Sequence, residues 1–289
     1  MKKSILHIII LGVIFSVTNA NIVSGIQGNM QNFLSMNSGS FIDVNYRQIN
    51  NNSTTLYSMS FIQFPAEIQF HEFFFQKRIN KYLISSTIGV LNYGIFEDTT
   101  NREFSADEQM IRLSIFNVES SSLTYGISAG YCLSHIDIYT SSLLSYSIGL
   151  NKTYFDNRLA IGLSLEKLNN VIENFSNIND PLPSIKKVST SYKPQFLPFN
   201  ILVDYLYEDS YNSELVIGIH GNIYNNLYLY SGKHIYFNDF DYYSVFNNFA
   251  LGLGILLNNS YKIDLGIQYL TDGVISVGTS LTAIKLDNF

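Results

Sequence analysis

The sequence predicts an all-β chain closed into a transmembrane, antiparallel, up-and-down barrel of about fourteen strands, preceded by an N-terminal plug or arm. Three observations predict it. Apolar residues recur with period two over many segments. Only 14% of residues are charged, beside 21 Tyr and 21 Phe. Beyond the N-terminus, no stretch approaches the roughly 18 consecutive apolar residues of a spanning helix.

The N-terminus comes first. Lys2 and Lys3 precede an apolar run from Ile5 to Val17, interrupted only by His7 and Ser16, and Thr18-Asn19-Ala20 follows with small residues. A charged start, a short apolar core and a small-x-small exit form the pattern of a secretory signal peptide, cut near Ala20. The run is too short to span a bilayer as a helix. Cys132 is the only cysteine, so no intrachain disulfide forms. The expected organisation is therefore a signal peptide over 1–20, a plug or periplasmic arm over 21–55, and the barrel over 56–289. Residues 21–55 are rich in Asn, Ser and Gly, with scattered Phe33, Leu34, Met36 and Phe41, and do not alternate as a spanning strand does.

The alternation justifies the strands one by one. Leu123, Tyr125, Ile127, Ala129 and Tyr131 oppose Thr124, Gly126, Ser128 and Gly130. Leu159, Ile161, Leu163 and Leu165 interleave with Ala160, Gly162, Ser164 and Glu166. The same rule sets Leu251, Leu253 and Ile255 against Gly252 and Gly254, and Ile263, Leu265 and Ile267 against Asp264 and Gly266. The last strand sets Ile275, Val277 and Leu281 against Ser276, Gly278 and Ser280. A soluble sandwich also alternates, but its second face carries Lys, Glu, Arg and Thr. Here that face is mostly Gly, Ser and Ala, which suits a barrel interior. Tyr154 with Phe155, Tyr228 with Tyr230, and Tyr242 with Tyr243 read as interfacial girdles near strand ends.

Strands are expected at 56–63, 67–77, 82–91, 108–118, 122–134, 141–155, 158–168, 184–193, 198–208, 213–223, 226–236, 246–258, 261–270 and 274–285. Even-numbered connections are all short, as at Asp156-Asn157, Asn225 and Asn259-Ser260. The three longest, 92–107, 169–183 and 237–245, are all odd-numbered. Outer-membrane barrels pair short periplasmic turns with longer outer loops, so both termini are expected on the periplasmic side of a bacterial outer membrane.

Chemistry is sparse. The histidines at 71, 135, 220 and 234 have no metal-ligand spacing, and a single cysteine excludes a thiolate zinc site. His220 shares a face with Gly218 and is expected to point inward as a satisfied polar residue. Asn238, Asp239 and Asp241 do not follow an EF-hand loop and read as a solvated acidic loop. No Gly-rich phosphate loop is present. A net charge of −6 argues against nucleic-acid partners. No catalytic, metal or cofactor site is expected, and the chain reads as non-enzymatic.

One hairpin carries a family resemblance. Leu91-Asn92-Tyr93-Gly94-Ile95-Phe96, followed by Phe104-Ser105-Ala106-Asp107, resembles the apolar-Asn-Tyr-Gly-x-Phe turn and the Phe-x-Ala-x-Asp strand entry of the PorV/PorQ family, the PorQ branch above all. Leu197-Pro198-Phe199 resembles that family's Leu-Pro-Phe strand opening, and the 251–255 and 277–281 strands fall in the same order. The family's Asn-Pro-Ala turn appears here only as Phe64-Pro65-Ala66. The expected loop glycine is replaced by Thr100-Asn101-Arg102-Glu103, and Asp287-Asn288 breaks the apolar run before Phe289. The resemblance implies a barrel like the long-chain fatty-acid transporter FadL. It also implies a role in the type IX secretion system as a scaffold or shuttle for exported cargo. The partners it implies are outer-membrane lipid, lipopolysaccharide, and secretion components or cargo proteins met by the three long outer loops. The alternative is a FadL-like channel for hydrophobic or small solutes.

Overall fold

The computed structural model describes residues 53–119, 122–175, 184–208, 213–224, 226–237, 249–258, 260–270 and 274–286. Fourteen strands run β1 (Ser53–Gln63), β2 (Gln69–Ile79), β3 (Tyr82–Glu97), β4 (Glu103–Asn117), β5 (Leu123–Ile136), β6 (Tyr139–Tyr154) and β7 (Leu159–Glu173). The rest are β8 (Ile185–Tyr192), β9 (Phe199–Glu208), β10 (Glu214–Tyr224), β11 (Leu227–Tyr236), β12 (Phe249–Leu257), β13 (Tyr261–Tyr269) and β14 (Ile275–Leu286). Each strand pairs antiparallel with its sequence neighbours, and β1 pairs with β14, so the sheet closes without an edge. Closure matters because an unpaired backbone edge in hydrocarbon has no water to satisfy it.

The alternation sorts residues as the sequence indicates. Along β7, Ile161, Leu163 and Leu165 are exposed on the outer wall while Ala160, Gly162 and Ser164 are buried on the luminal side. Leu251, Leu253 and Ile255 of β12 and Ile263 and Leu265 of β13 also lie outside. The exterior is thus an apolar band of the kind that faces lipid. At the end bearing both chain ends of the barrel, exposed aromatics ring the wall: Tyr82, Tyr125, Tyr154, Phe155, Tyr192 and Tyr224. Tyr228 and Tyr230 are not part of that girdle. Tyr230 is buried in the lumen, with its hydroxyl donating to Asp264 at 2.8 Å, and Tyr228 packs beside it under Lys262. Their even numbers place them on the Gly232 face of β11, which points inward.

The wall is uneven in height. Strands β3 to β7 have 14 to 16 residues and β8 to β14 have 8 to 12. At about 3.3 Å per residue, the longer strands reach roughly 15–20 Å further before tilt is counted. The expected long connection at 92–107 is therefore mostly strand. The ladder continues to Glu97 and resumes at Glu103, leaving a tip of 98–102. It passes through a bulge at Tyr93-Gly94, where both residues oppose Ala106 alone. Gly94 takes φ +86, a value that glycine adopts without strain, and its N–H donates to the Asn92 side chain at 2.7 Å. Likewise β7 runs to Glu173, so the connection expected at 169–183 begins only after it. The third, 237–245, lies outside the described residues apart from Phe237, as do residues 1–52 with the expected signal peptide and most of the expected plug.

Candidate functional site in the barrel lumen

Two surfaces of different chemistry line the lumen. The first is apolar and centres on β1 to β5. Ile62, Phe70, Leu91, Tyr93, Met110 and Cys132 are all buried there, and Phe64, Ile68 and Phe96 pack against them. The family-like hairpin builds much of this patch. Tyr93 keeps the inward parity of Leu91, the bulge that follows turns Phe96 inward to stack on Phe104 with centroids 5.5 Å apart, and Ala106 is 1% exposed beneath them. Asn92 and Asp107, which pair across the hairpin, face outward. Asp107 lies 3.4 Å from His135. Within the apolar patch sits one carboxylate, Glu108, which is 3% exposed and accepts the Tyr93 hydroxyl hydrogen bond at 3.0 Å.

The second surface is charged and centres on β7 to β10. A bulge at Glu166-Lys167, with Lys167 at φ +55, breaks the alternation so that both neighbouring side chains point inward. Lys187 of β8 lies 3.8 Å from Glu166 and 3.4 Å from Asp204 of β9. Lys167 lies 3.8 Å from Glu208. Glu214 pairs with His234 across the β10–β11 ladder. These groups are matched in sign, as buried charges must be to repay their desolvation. Arg112 of β4 joins the two surfaces. It interacts electrostatically with Glu166 and Glu72, and its guanidinium reaches the Met110 sulfur at 4.0 Å.

Toward the end that carries the chain ends lies a third, smaller group. Asp264 accepts from Tyr230 and from Ser280 at 3.3 Å and pairs with Lys262 at 3.2 Å, while Ser58 bonds Thr282 at 2.9 Å. His220 is buried on the luminal face of β10, as its shared parity with Gly218 indicates, near Asn200 at 3.4 Å. Among the described residues no group of His, Cys, Asp and Glu has the arrangement of a metal site.

The remaining family-like residues serve the turns. Pro65 leads into Ala66 and Glu67, both with positive φ, and the turn closes through the Phe64 N–H on the Ile68 carbonyl at 2.8 Å. Leu197 is exposed and Pro198 delivers Phe199 to the start of β9. There the chain crosses so close to Gly221 that a Cβ on that glycine would stand 2.1 Å from the Pro198 carbonyl oxygen. The motif thus divides into hairpin residues that shape the lumen and turn residues that set strand entry. The charged luminal surface lies outside it. The only sequence signal for that surface was charge at inward positions, as at Lys187 and Asp204.

The fold has solved counterparts. No family model matches the chain, and no curated protein does. The chain is similar to the toluene transporter TodX of Pseudomonas putida, with a TM-score of 0.52 and 10% identity, covering 86% of this chain and 94% of that one. A TodX deltaS2S3 mutant, described as a monoaromatic hydrocarbon channel, superposes with a TM-score of 0.55 at 10% identity, covering 87% and 96%. At this identity the likeness establishes the fold: a closed 14-stranded barrel of the outer-membrane type.

Proposed function

We propose that the protein is a non-enzymatic outer-membrane channel that admits small solutes with substantial apolar surface. The observation that carries this reading is the apolar luminal patch of Ile62, Phe70, Leu91, Met110 and Cys132. A barrel that serves only as a structural wall needs apolar residues on its lipid face. A second apolar surface inside the lumen gives an apolar solute somewhere to bind, in the manner of ligand pockets lined by apolar side chains with a few polar groups. The TodX-like fold, whose solved members are described as hydrocarbon channels, supports the same direction. In this reading the end bearing the chain ends faces the periplasm and the β3–β7 hairpins rise on the outer side. The test is uptake of a labelled monoaromatic solute by cells with the gene deleted, restored by the wild-type chain or by a Met110→Asp variant. Restoration by wild type and not by the variant supports the reading. Equal uptake in all strains removes it.

A second reading, the type IX scaffold implied by the PorQ-like hairpin, has one structural feature in its favour. Ile95 and Ile138 are 73% and 76% exposed beyond a collar of outward polar residues that includes Asn92, Asp107 and Gln109. Lipid does not account for apolar residues beyond such a collar, and a protein partner would. The Arg102–Asp137 ion pair and the Asp137 N–H on the Ser105 carbonyl at 3.0 Å tie these two tips together. Deleting the gene and following one cargo protein with a sorting domain tests it. Untrimmed or released cargo supports the scaffold, and unchanged cargo removes it.

A further inference from the structure

The lumen is acid-rich, and its carboxylates are not all held alike. Lys187 faces Glu166 and Asp204, Lys167 faces Glu208, and Lys262 faces Asp264. Arg112 has Glu166 and Glu72 within electrostatic reach, and Glu214 has His234. Glu108 differs. Among the described residues its hydrogen-bond partner is a neutral phenol, Tyr93, and no salt bridge reaches it. Around it stand Leu91, directly opposite on β3, Met110 on the same face of β4, and Cys132 opposite Met110 on β5.

Burying an ionised carboxylate without a cation is costly, and an apolar wall gives it no compensation. A chain that only needed to fill this patch would place an aliphatic residue there. The retained groups are a carboxylate, an aromatic ring that has a negative face, and an apolar floor. Together they are the elements that recognise an organic cation: charge pairing, cation–π attraction and apolar contact. The net luminal charge points the same way. Among the described residues, the seven inward carboxylates named above outnumber the four inward cations named with them, and negatively lined passages draw cations in. Residues 21–52 contain one Asp and one Arg, which cancel.

We infer that the Glu108–Tyr93 site in the apolar luminal patch binds an organic ammonium ion bearing an apolar body, and that the channel passes such cations in preference to anions of the same size. This rests on the channel reading and names its solute class.

The test uses the full mature chain in liposomes loaded with two permanently charged aromatic ions of similar size, phenyltrimethylammonium and benzenesulfonate. Phenyltrimethylammonium is expected to leave at least about tenfold faster than benzenesulfonate, a difference of about 1.4 kcal/mol between their paths. Glu108→Gln keeps an oxygen to accept the Tyr93 bond and removes only the charge. It is expected to slow the cation about tenfold and leave the anion unchanged. Glu108→Asp restores most of the cation flux. Cation efflux from Glu108→Gln within about twofold of wild type overturns the site. Efflux of neither ion above that of protein-free liposomes overturns the channel reading itself. A measurement on the unaltered chain decides the site even should Glu108→Gln misfold. Phenyltrimethylammonium, and not benzenesulfonate, is expected to shield Glu108 from carbodiimide labelling read by mass spectrometry, and equal labelling with both ions overturns the proposal.

Discussion

The β1–β5 wall and the β7–β10 wall belong to one closed sheet and present the same apolar exterior, yet their inner faces have little in common. One carries a patch of Ile, Leu, Met and aromatic side chains around Glu108, with Glu72 and Arg112 beside it. The other is a set of interlocked ion pairs. The exterior is uniform because lipid imposes one requirement around the whole circumference. The interior faces no such common solvent, so each sector takes the chemistry its contents require. The walls should therefore respond differently to substitution, with the charged wall sensitive to the loss of a partner and the outer wall sensitive to the gain of a charge.

The largest expected effect lies in the charged wall. Lys187 is buried between Glu166 and Asp204, so Lys187→Met leaves two buried carboxylates short of a cation. Removing one partner of a buried pair costs about 3–5 kcal/mol. Replacing Asp204 by Asn in the same chain should recover part of that loss, because one orphaned charge goes with it. The chain contains no Trp, so folding is best followed by far-ultraviolet circular dichroism or by the mobility of unheated barrels on gels, in urea titrations from lipid vesicles. A Lys187→Met midpoint equal to wild type would mean that water or a mobile ion screens this wall, and the contrast between the two sectors would weaken.

Next comes the shared exterior. Leu163 faces outward in the middle of the apolar band of β7. Leu163→Arg should cost about 2–4 kcal/mol in the same assay, and less if the site lies nearer an interface. Leu163→Ala should cost much less, since that side chain has lipid rather than a packed core around it. A neutral outcome for Arg would place β7 outside the bilayer.

How much of this contrast could be read in the sequence follows from the physics of alternation. The exterior was legible because lipid enforces the same residue class at every second position, which marked five strands outright, and the coarser count of fourteen matches the closed barrel. The interior was less so. Bulges at Tyr93-Gly94 and Glu166-Lys167 change the parity of their strands, so positions beyond them cannot be assigned by counting. Beyond the first bulge, part of the expected loop is ladder. Tyr228 and Tyr230 looked like girdle residues because they lie near a strand end, and only their parity with Gly232 places them inside. The apolar luminal patch was invisible for a different reason. Its members come from eight strands, with Leu202, Tyr230 and Ala250 reaching it from β9, β11 and β12, and they meet only when the barrel closes. The family-like hairpin contributes Leu91, Tyr93 and Ala106 to that patch, and the motif does not say what its tyrosine touches.

A smaller effect is expected where the walls meet the turns. At Gly221 a side chain would collide with the backbone that leads into β9, with the Pro198 oxygen at 2.1 Å from an added Cβ and the Phe199 Cα at 2.8 Å. That obstacle is backbone and yields poorly. Gly221→Val should cost about 1–3 kcal/mol, as overpacking does. Solute flux should be little changed once the barrel has folded, because the β8–β9 connection lies at the end remote from the apolar patch. A variant as stable as wild type would show that this turn shifts freely.

The smallest effect belongs to the outer tip of the β3–β4 hairpin, which is fixed by hydrogen bonds rather than by burial. The Thr100 hydroxyl donates to the Asp98 carboxylate at 2.6 Å, and the backbone N–H groups of Arg102 and Thr100 donate to the same oxygen at 3.0 and 2.7 Å. Those bonds favour the ionised form, led by the Thr100 hydroxyl, and hold the Asp98 carboxyl below its ordinary value. A depressed value means that the contribution to the tip is fully present above the unfolded value of about 3.9 and is lost as pH falls through the lower folded value. The tip should therefore be unchanged from neutral pH down to about pH 4 and loosen only in stronger acid. The backbone amide resonance of Thr100, followed by NMR in detergent micelles, should titrate with a midpoint below about 3.9. A midpoint at or above that value would show that the three donors do not hold the carboxylate. The Arg102–Asp137 ion pair would then be the main tie between the two exposed tips.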